Sequence, residues 1–407
     1  MTPPQGSARP GALGELGRYW RVLFACCVGA AVGAAAFPLY IVPVIAIRLE
    51  GAFGWSRLET SSLVSTGFAG AALGAPLVGW LNDRWSIRLP ALASTAAIGL
   101  TLGLASAAPG DIRVWQLGTF CLTLFGAGTL SAAYLKIVSQ HFHAMRGLAL
   151  GLTIGSVSLL SAVALPRLTG WIDTVGLATF FAAAAGFYFL VALPFLAWAL
   201  PADRNGTAAG PTLPADDTPV PSPGAALWVL ATAGILVASA TGAAAHLVAI
   251  AADGGRIAPS VVGAVFATGV MLARPVTGLL IDRVNAARVG AVAFALAAAG
   301  LSIVAISGDR YILIATILLS GAVGADIDVV AYLTSKYVGA ARFGRVFGWI
   351  YCGVLVAAAL GPVLVGLERD LFGSYRVPFL ITAVMVAVAA GLMLALPPYA
   401  GPGRERS

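Results

Sequence analysis

Apolar segments of about 20 residues recur along nearly the whole chain of 407 residues, and a helix needs roughly that length to cross a bilayer. Hydrophobic residues make up 59% of the sequence and charged residues 10%. Soluble domains carry about 25% charged residues, and one soluble core could not bury so much apolar surface. The composition therefore excludes a water-soluble enzyme and predicts an all-α, polytopic membrane protein.

The segment pattern predicts twelve transmembrane helices in two pseudo-symmetric bundles of six. The predicted spans are 22–47, 59–81, 89–108, 114–137, 147–169, 177–200, 225–250, 259–281, 288–307, 311–335, 344–366 and 377–397. The predicted regions are an N-terminal tail (1–21), an N-terminal bundle (22–200), a Pro-, Asp- and Thr-rich linker (201–224), a C-terminal bundle (225–397) and a C-terminal tail (398–407).

The distribution of basic residues predicts the orientation in the membrane. Of the 24 Lys and Arg residues, fifteen fall in segments that are cytoplasmic if the N-terminus is inside, eight fall outside, and Arg274 belongs to neither side. Because cytoplasmic loops carry the excess of Lys and Arg, we predict a protein of the cell (inner) membrane with both tails and the linker in the cytoplasm. The scattered basic residues form no stripe, which argues against nucleic-acid binding.

The two bundles are sequence repeats of each other. Pro76-Leu-Val-Gly79-Trp-Leu-Asn-Asp83-Arg84 recurs 199 residues later as Pro275-Val-Thr-Gly278-Leu-Leu-Ile-Asp282-Arg283. Repeated halves with a mid-membrane site between them are typical of secondary transporters.

The repeated motif resembles the loop signature of the major facilitator superfamily. In that superfamily the acidic and basic residues pair across the cytoplasmic ends of adjacent helices. The resemblance therefore implies a cytoplasmic gate formed by Asp83, Arg84, Arg88, Asp282 and Arg283. The first copy departs from the signature after Arg84, where the usual Gly-Arg continuation is missing.

Further motifs are similar to the bacterial monocarboxylate-porter branch of this superfamily. They are Phe53-Gly54-Trp55-Ser56-Arg57, His246-Leu247 with Asp253-Gly254, Ala273-Arg274-Pro275, and Gly324-Ala325-Asp326-Ile327-Asp328 with Tyr332. The resemblance implies that Arg274 binds the substrate carboxylate. Two family features are missing: Val270 stands where some members carry an acid, and the segment from Ile350 to Gly366 lacks a second cation.

Arg274 is a candidate ligand even without the resemblance. It lies eight residues before Asp282, about 12 Å along the helix, which is too deep for comfortable snorkelling. A guanidinium at that depth costs at least about 2.5–3.5 kcal/mol, and the repeat carries Ala75 at the matching position. We predict that Arg274 binds an anion; the alternative is a purely structural pair with an acid of the tenth span.

Asp326 and Asp328 are acids within the predicted tenth span, and they point to different faces because they are two residues apart. Asp328, Tyr332 and Lys336 share one face. We predict that Asp328, or less favourably Asp326, accepts the coupled proton; a static ion pair is the alternative.

Three further residues complete the predicted substrate site. Tyr40 and Tyr332 are phenols within spans that could donate hydrogen bonds to a carboxylate, or simply pack. His246 could exchange protons near neutral pH, although a lone histidine on an apolar helix is more often a hydrogen-bonded packing residue.

The sequence therefore predicts a proton-coupled symporter of a small monocarboxylate that works by rocking of its two bundles. Its partners are a small organic anion, a proton and the lipid bilayer; no cofactor, no metal and no obligatory protein partner is predicted. The alternatives are a proton-driven exporter of hydrophobic compounds on the same fold, a non-transporting membrane sensor, and a membrane enzyme.

Overall fold

The computed structural model describes residues 12–84, 87–142, 146–201, 223–281 and 283–397, and every regular element in these ranges is helical. This confirms the all-α prediction. Eleven helical segments in the described ranges are long and apolar enough to cross a membrane. The predicted first span is present as two shorter helices separated by a break.

The described part of the N-terminal half consists of α1 Ala12–Ala31, a π-helical turn Phe37–Ile41, α2 Val42–Phe53, α3 Arg57–Arg84, α4 Arg88–Ala105, α5 Ile112–Phe125, a 3₁₀ turn Gly126–Thr129, α6 Ser131–His141, α7 Arg146–Val175, α8 Leu177–Phe187, a second π-helical turn Tyr188–Ala192, and α9 Leu193–Ala199. Helix α1 begins ten residues before the predicted span. Tyr19 explains this extension, because its ring packs edge-on against His141 and Phe142.

The described part of the C-terminal half consists of α10 Pro223–Gly254, α11 Pro259–Ile281, α12 Ala286–Ser307, α13 Ile312–Phe372 and α14 Arg376–Leu394. Helix α13 contains the predicted tenth and eleventh spans. Residues 336–343, predicted to separate them, contain no proline and remain helical.

The two parts of α13 lie side by side. A Cβ atom at Gly234 of α10 would lie 3.6 Å from Val330 and 3.3 Å from Val354. A straight helix would separate those valines by about 36 Å. The chain therefore reverses direction between them, and both parts pack on α10.

The first span is interrupted between α1 and α2, where residues 32–35 leave the helix. Thr129 of the fourth span accepts a hydrogen bond from the Ala34 amide at 2.9 Å, and the Tyr188 hydroxyl donates to the Val32 carbonyl. Gly33 permits this close approach, since a Cβ atom there would collide with the Thr129 carbonyl oxygen. Backbone groups within a bilayer need such partners.

Within the described ranges, most of the contact between the halves is made by two helix pairs: α3 packs on α13, and α7 packs on α11. A Cβ atom at Gly263 of α11 would lie 3.2 Å from Leu165 of α7. At the α13 pair, a Cβ atom at Gly366 would collide with Ser61.

Candidate functional site

Arg274 lies in α11 on the side that faces α13 and α7. Its neighbour Ala273 packs on α13, where a Cβ atom at Gly324 would come within 2.6 Å of the Ala273 Cβ. Met271 is three residues before Arg274 and shares its side of the helix. Its Cγ would lie 3.9 Å from a Cβ atom at Gly155 of α7. Arg274 is therefore directed into the junction between the two halves.

Asp328 of α13 forms an ion pair with Arg274. The Nη1 atom of Arg274 donates to both carboxylate oxygens, at 3.2 and 3.3 Å. The side chains keep 25% and 32% of their exposure, so the pair borders an accessible space rather than a sealed core. Both contacts use one nitrogen, whereas the strongest guanidinium–carboxylate pairs use two parallel hydrogen bonds. A second carboxylate could therefore compete for this guanidinium.

Asp326 is more deeply placed than Asp328, with 6% of its surface exposed. Its Oδ1 atom accepts a hydrogen bond from the Ile327 amide at 2.6 Å. The charge of Arg274 acts on this carboxyl as well as on Asp328. The structure thus places both predicted acids around one guanidinium, with Asp328 in direct contact.

Tyr40 connects the two halves beside this site. Its hydroxyl shares a hydrogen bond of 2.7 Å with the Ser158 hydroxyl of α7, and its ring lies 6.1 Å from the ring of Phe266 in α11. The Tyr40 phenol also interacts electrostatically with Arg274. Tyr40 belongs to the π-helical turn of the first span, so the irregular backbone there presents a polar group toward the site.

Tyr351 is a further candidate site residue, which the sequence analysis missed. It lies in the second part of α13, close enough for the charges of Arg274 and Asp326 to act on its hydroxyl. Its ring stacks on Phe347, with centroids 5.7 Å apart. A phenol inside the predicted span 344–366 was the available signal, but the sequence did not reveal that this part of α13 folds back beside Asp326.

Tyr332 and Lys336 follow Asp328 along one face of α13, as predicted. The Lys336 Nζ lies 5.7 Å from the centroid of the Tyr332 ring. The ammonium and the ring are therefore mutual neighbours, one and two turns beyond the ion pair.

His246 is enclosed between α10, α13 and α14, with 3% of its surface exposed. Its Nε2 lies 2.9 Å from the Pro362 carbonyl oxygen, and its Nδ1 lies 3.3 Å from the Tyr375 hydroxyl. Both ring nitrogens thus have protein partners. This placement favours the packing alternative for His246 over a place in the substrate site.

The predicted cytoplasmic gate is described only in part. Asp282 lies outside the described residues, as do the side chains of Asp83 and Arg84 at the end of α3. Arg283 is exposed directly after α11. Arg88 donates a hydrogen bond to the Ala197 carbonyl near the end of α9.

An ion-pair cluster, which the sequence analysis also missed, joins the halves at the opposite end of α3. Arg57 pairs with Glu50 at 2.6 Å within the N-terminal half and with Asp253 of α10 in the C-terminal half. Asp370 of α13 accepts a hydrogen bond from the Leu58 amide at 3.1 Å. We call this end of the molecule the Arg57 end; its helices are in close contact.

The fold and the repeated halves define a transporter of the two-bundle type, and comparison with family models gives its family. Residues 22–252 and 227–407 both match the model described as Major Facilitator Superfamily. The chain belongs to the Major Facilitator Superfamily.

Solved structures agree on the fold. The chain resembles a crystal structure of a point mutant of the nucleoside transporter NupG, with a TM-score of 0.74, 11% sequence identity, and coverage of 93% of this chain and 100% of that one. It also resembles a bacterial homolog of the human lysosomal transporter Spinster in an inward-facing and occupied conformation, with a TM-score of 0.69, 14% identity, and coverage of 96% and 97%. No curated protein sequence gives a significant match.

Proposed function

We propose that this chain is a secondary active transporter that carries a small monocarboxylate together with a proton. The observation that supports the proposal is the ion pair between Arg274 and Asp328, which is partly exposed at the junction of the two halves. A guanidinium at bilayer depth is costly, and residues of this kind mark ion and substrate pathways.

The substrate carboxylate takes the place of Asp328 on Arg274. Arg suits this role because its planar group offers two parallel hydrogen bonds to a carboxylate. Asp328 uses one nitrogen of that group, so a better-aligned carboxylate gains a hydrogen bond. Tyr40 and Tyr351 border the same space, and Tyr332 lies one turn beyond the ion pair.

Proton coupling follows from charge balance. With both acids ionised, Arg274, Asp326 and Asp328 together carry one negative charge, and a bound monocarboxylate adds a second. An unpaired charge in a poorly solvated site is unfavourable. When substrate displaces Asp328, protonation of the freed carboxyl removes that cost, so the anion and the proton are bound together.

In the predicted orientation the Arg57 end faces the outside, and both termini lie in the cytoplasm of a cell-membrane protein. The cluster around Arg57 then closes the external side. Rocking of the halves reverses this arrangement.

The proposal is tested by flux measurements in proteoliposomes with an imposed pH gradient. Acetate, lactate, pyruvate and an aromatic acid are compared in the wild type, Arg274→Ala and Arg288→Ala; Arg288 is an exposed control on α12. We expect uptake of at least one acid to be driven by the gradient, to disappear in Arg274→Ala and to persist in Arg288→Ala. Transport of a hydrophobic compound that survives Arg274→Ala, without any carboxylate flux, would instead favour the exporter alternative.

A further inference from the structure

The last eleven residues of α13, which we call the 362–372 segment, carry contacts that close the Arg57 end. A Cβ atom at Gly366 would lie 3.1 Å from the Arg57 carbonyl oxygen of α3. Asp370, one turn further along, accepts the hydrogen bond from the Leu58 amide. The direction of the 362–372 segment therefore decides whether these contacts to the N-terminal half are made.

The 362–372 segment begins at a proline inside α13, Pro362. Proline has no N–H to donate, so the carbonyl four residues earlier, that of Ala358, loses the usual helical hydrogen bond. Bends in long helices concentrate at such positions. The helical hydrogen bonds of α13 therefore do not fix the direction of the 362–372 segment alone, and contacts with neighbouring helices contribute to it.

His246 of α10 forms hydrogen bonds near both ends of the 362–372 segment. Its Nε2 lies 2.9 Å from the Pro362 carbonyl oxygen, and because a carbonyl only accepts, Nε2 carries the proton and donates. In the neutral ring Nδ1 then accepts from the Tyr375 hydroxyl, 3.3 Å away. Tyr375 follows the segment by three residues, and the Cζ of Arg369 lies 5.4 Å from the centroid of its ring. One imidazole thus connects α10 to the start and to the end of the segment.

The surroundings of His246 favour a directional role over simple filling of space. Gly242 lies one turn earlier on the same face of α10, and a Cβ atom there would lie 2.5 Å from the carbonyl carbon of Gly361. The backbones of α10 and α13 are therefore in contact beside Pro362, and the imidazole is almost completely buried next to this contact. An apolar side chain of similar size would fill the same space but would not orient the two partners of the ring.

We propose that His246 is a positioning residue for alternating access. Its two hydrogen bonds set the direction of the 362–372 segment about Pro362, and they thereby hold Gly366 and Asp370 against α3 when the Arg57 end is closed. Loss of these hydrogen bonds shifts the equilibrium toward the open arrangement of that end. The inference rests on the alternation of the two halves in the proposed function and not on the identity of the substrate.

Two exposed positions at the Arg57 end, one on each half, report whether that end is open. Arg113 lies near the start of α5, just after the loop whose Gly110 carbonyl accepts a hydrogen bond from the Trp55 ring. Arg310 lies in the loop between α12 and α13, which contacts Gly254 at the end of α10. Both are replaced by cysteine in a variant that lacks the four native cysteines, and each cysteine is given a spin label.

Double electron–electron resonance then measures the populations of short and long distances between the labels. We expect the ratio of long to short distances to rise about tenfold in His246→Leu, which loses both hydrogen bonds. His246→Gln should stay close to the wild type, because its amide N–H can still donate to the Pro362 carbonyl. The assay needs no substrate, so its failure is distinguishable from failure of the proposed function.

Two further variants separate positioning from a general loss of stability. Tyr375→Phe keeps the ring and removes one of the two hydrogen bonds, so we expect the ratio to rise about threefold; it tests the proposal even where His246→Leu does not fold. Thr382→Val is the matched control, because the buried Thr382 hydroxyl donates to the Pro378 carbonyl of its own helix and connects no two helices. An unchanged ratio in His246→Leu or Tyr375→Phe, or an equal rise in His246→Gln or Thr382→Val, would overturn the proposal.

Discussion

The guanidinium of Arg274 has a partner that a second carboxylate can replace. Asp328 approaches one of its nitrogens, and both side chains retain access to the space between the halves. A structural ion pair would be favoured by full burial and by two parallel hydrogen bonds. The observed geometry is better suited to exchange of one carboxylate for another.

Arg274→Lys distinguishes a two-nitrogen contact from simple charge attraction. Lysine keeps the positive charge but not the planar fork, so we expect the KM for the carboxylate to rise about tenfold or more, from loss of one charged hydrogen bond. The measurement is initial uptake against substrate concentration, with Arg288→Lys as the control. An unchanged KM would mean that the carboxylate is not held by a two-nitrogen contact.

At the residue scale, the sequence predicted the cation and the acids but not their surroundings. Arg274 was identifiable because its depth in a span and its counterpart Ala75 are both visible in the sequence. Tyr351 was not identifiable in this way, because its position near Arg274 depends on where the chain reverses direction within α13. For His246 the sequence allowed either proton exchange or hydrogen-bonded packing. The hydrogen bonds that favour packing are made to Pro362 and Tyr375, which are more than 100 residues away in the chain.

At the scale of elements, the length of the apolar segments predicted most of the helices. It did not predict the interruptions within the first and fourth spans. The first span leaves the helix at residues 32–35, and the fourth contains the 3₁₀ turn Gly126–Thr129. These breaks support each other through Thr129, which accepts from the Ala34 amide. A contact between segments 95 residues apart has no local signature, so hydropathy predicted two continuous spans.

The crossing of α10 and α13 gives a test of packing. A Cβ atom at Gly242 would lie 2.5 Å from the carbonyl carbon of Gly361, so Gly242→Ala forces the two backbones apart. We expect a loss of about 1–3 kcal/mol in stability, measured by thermal unfolding in detergent. Gly391→Ala has open space and should be neutral or stabilising by up to about 1 kcal/mol, through helix propensity. Equal stability of the two variants would contradict this crossing.

At the scale of the whole molecule, the structure is closed at the Arg57 end. Arg57 bridges the halves through Asp253, and Gly366 lies directly against Ser61. A transporter that alternates must separate these groups in every cycle. The motif residues around Arg57 were visible in the sequence, but their partners on α10 and α13 are defined only by the fold.

A reversible cross-link tests whether that separation is required. In a variant with the four native cysteines replaced, Ser61→Cys with Gly366→Cys should form a disulfide upon oxidation, because the two positions are in contact. We expect oxidation to stop transport and a reductant to restore it, whereas Ser61→Cys alone remains active throughout. Full transport by the cross-linked protein would show that the Arg57 end does not need to open.

The coupling of proton and carboxylate at Asp328 is tested most directly by comparing exchange with accumulation. Proteoliposomes containing wild type, Asp328→Asn or Asp326→Asn are assayed for exchange of labelled substrate at equal pH, and for accumulation under a pH gradient. The account predicts that Asp328→Asn retains exchange but loses gradient-driven accumulation, while Asp326→Asn retains both. Accumulation by Asp328→Asn at the wild-type level would contradict it.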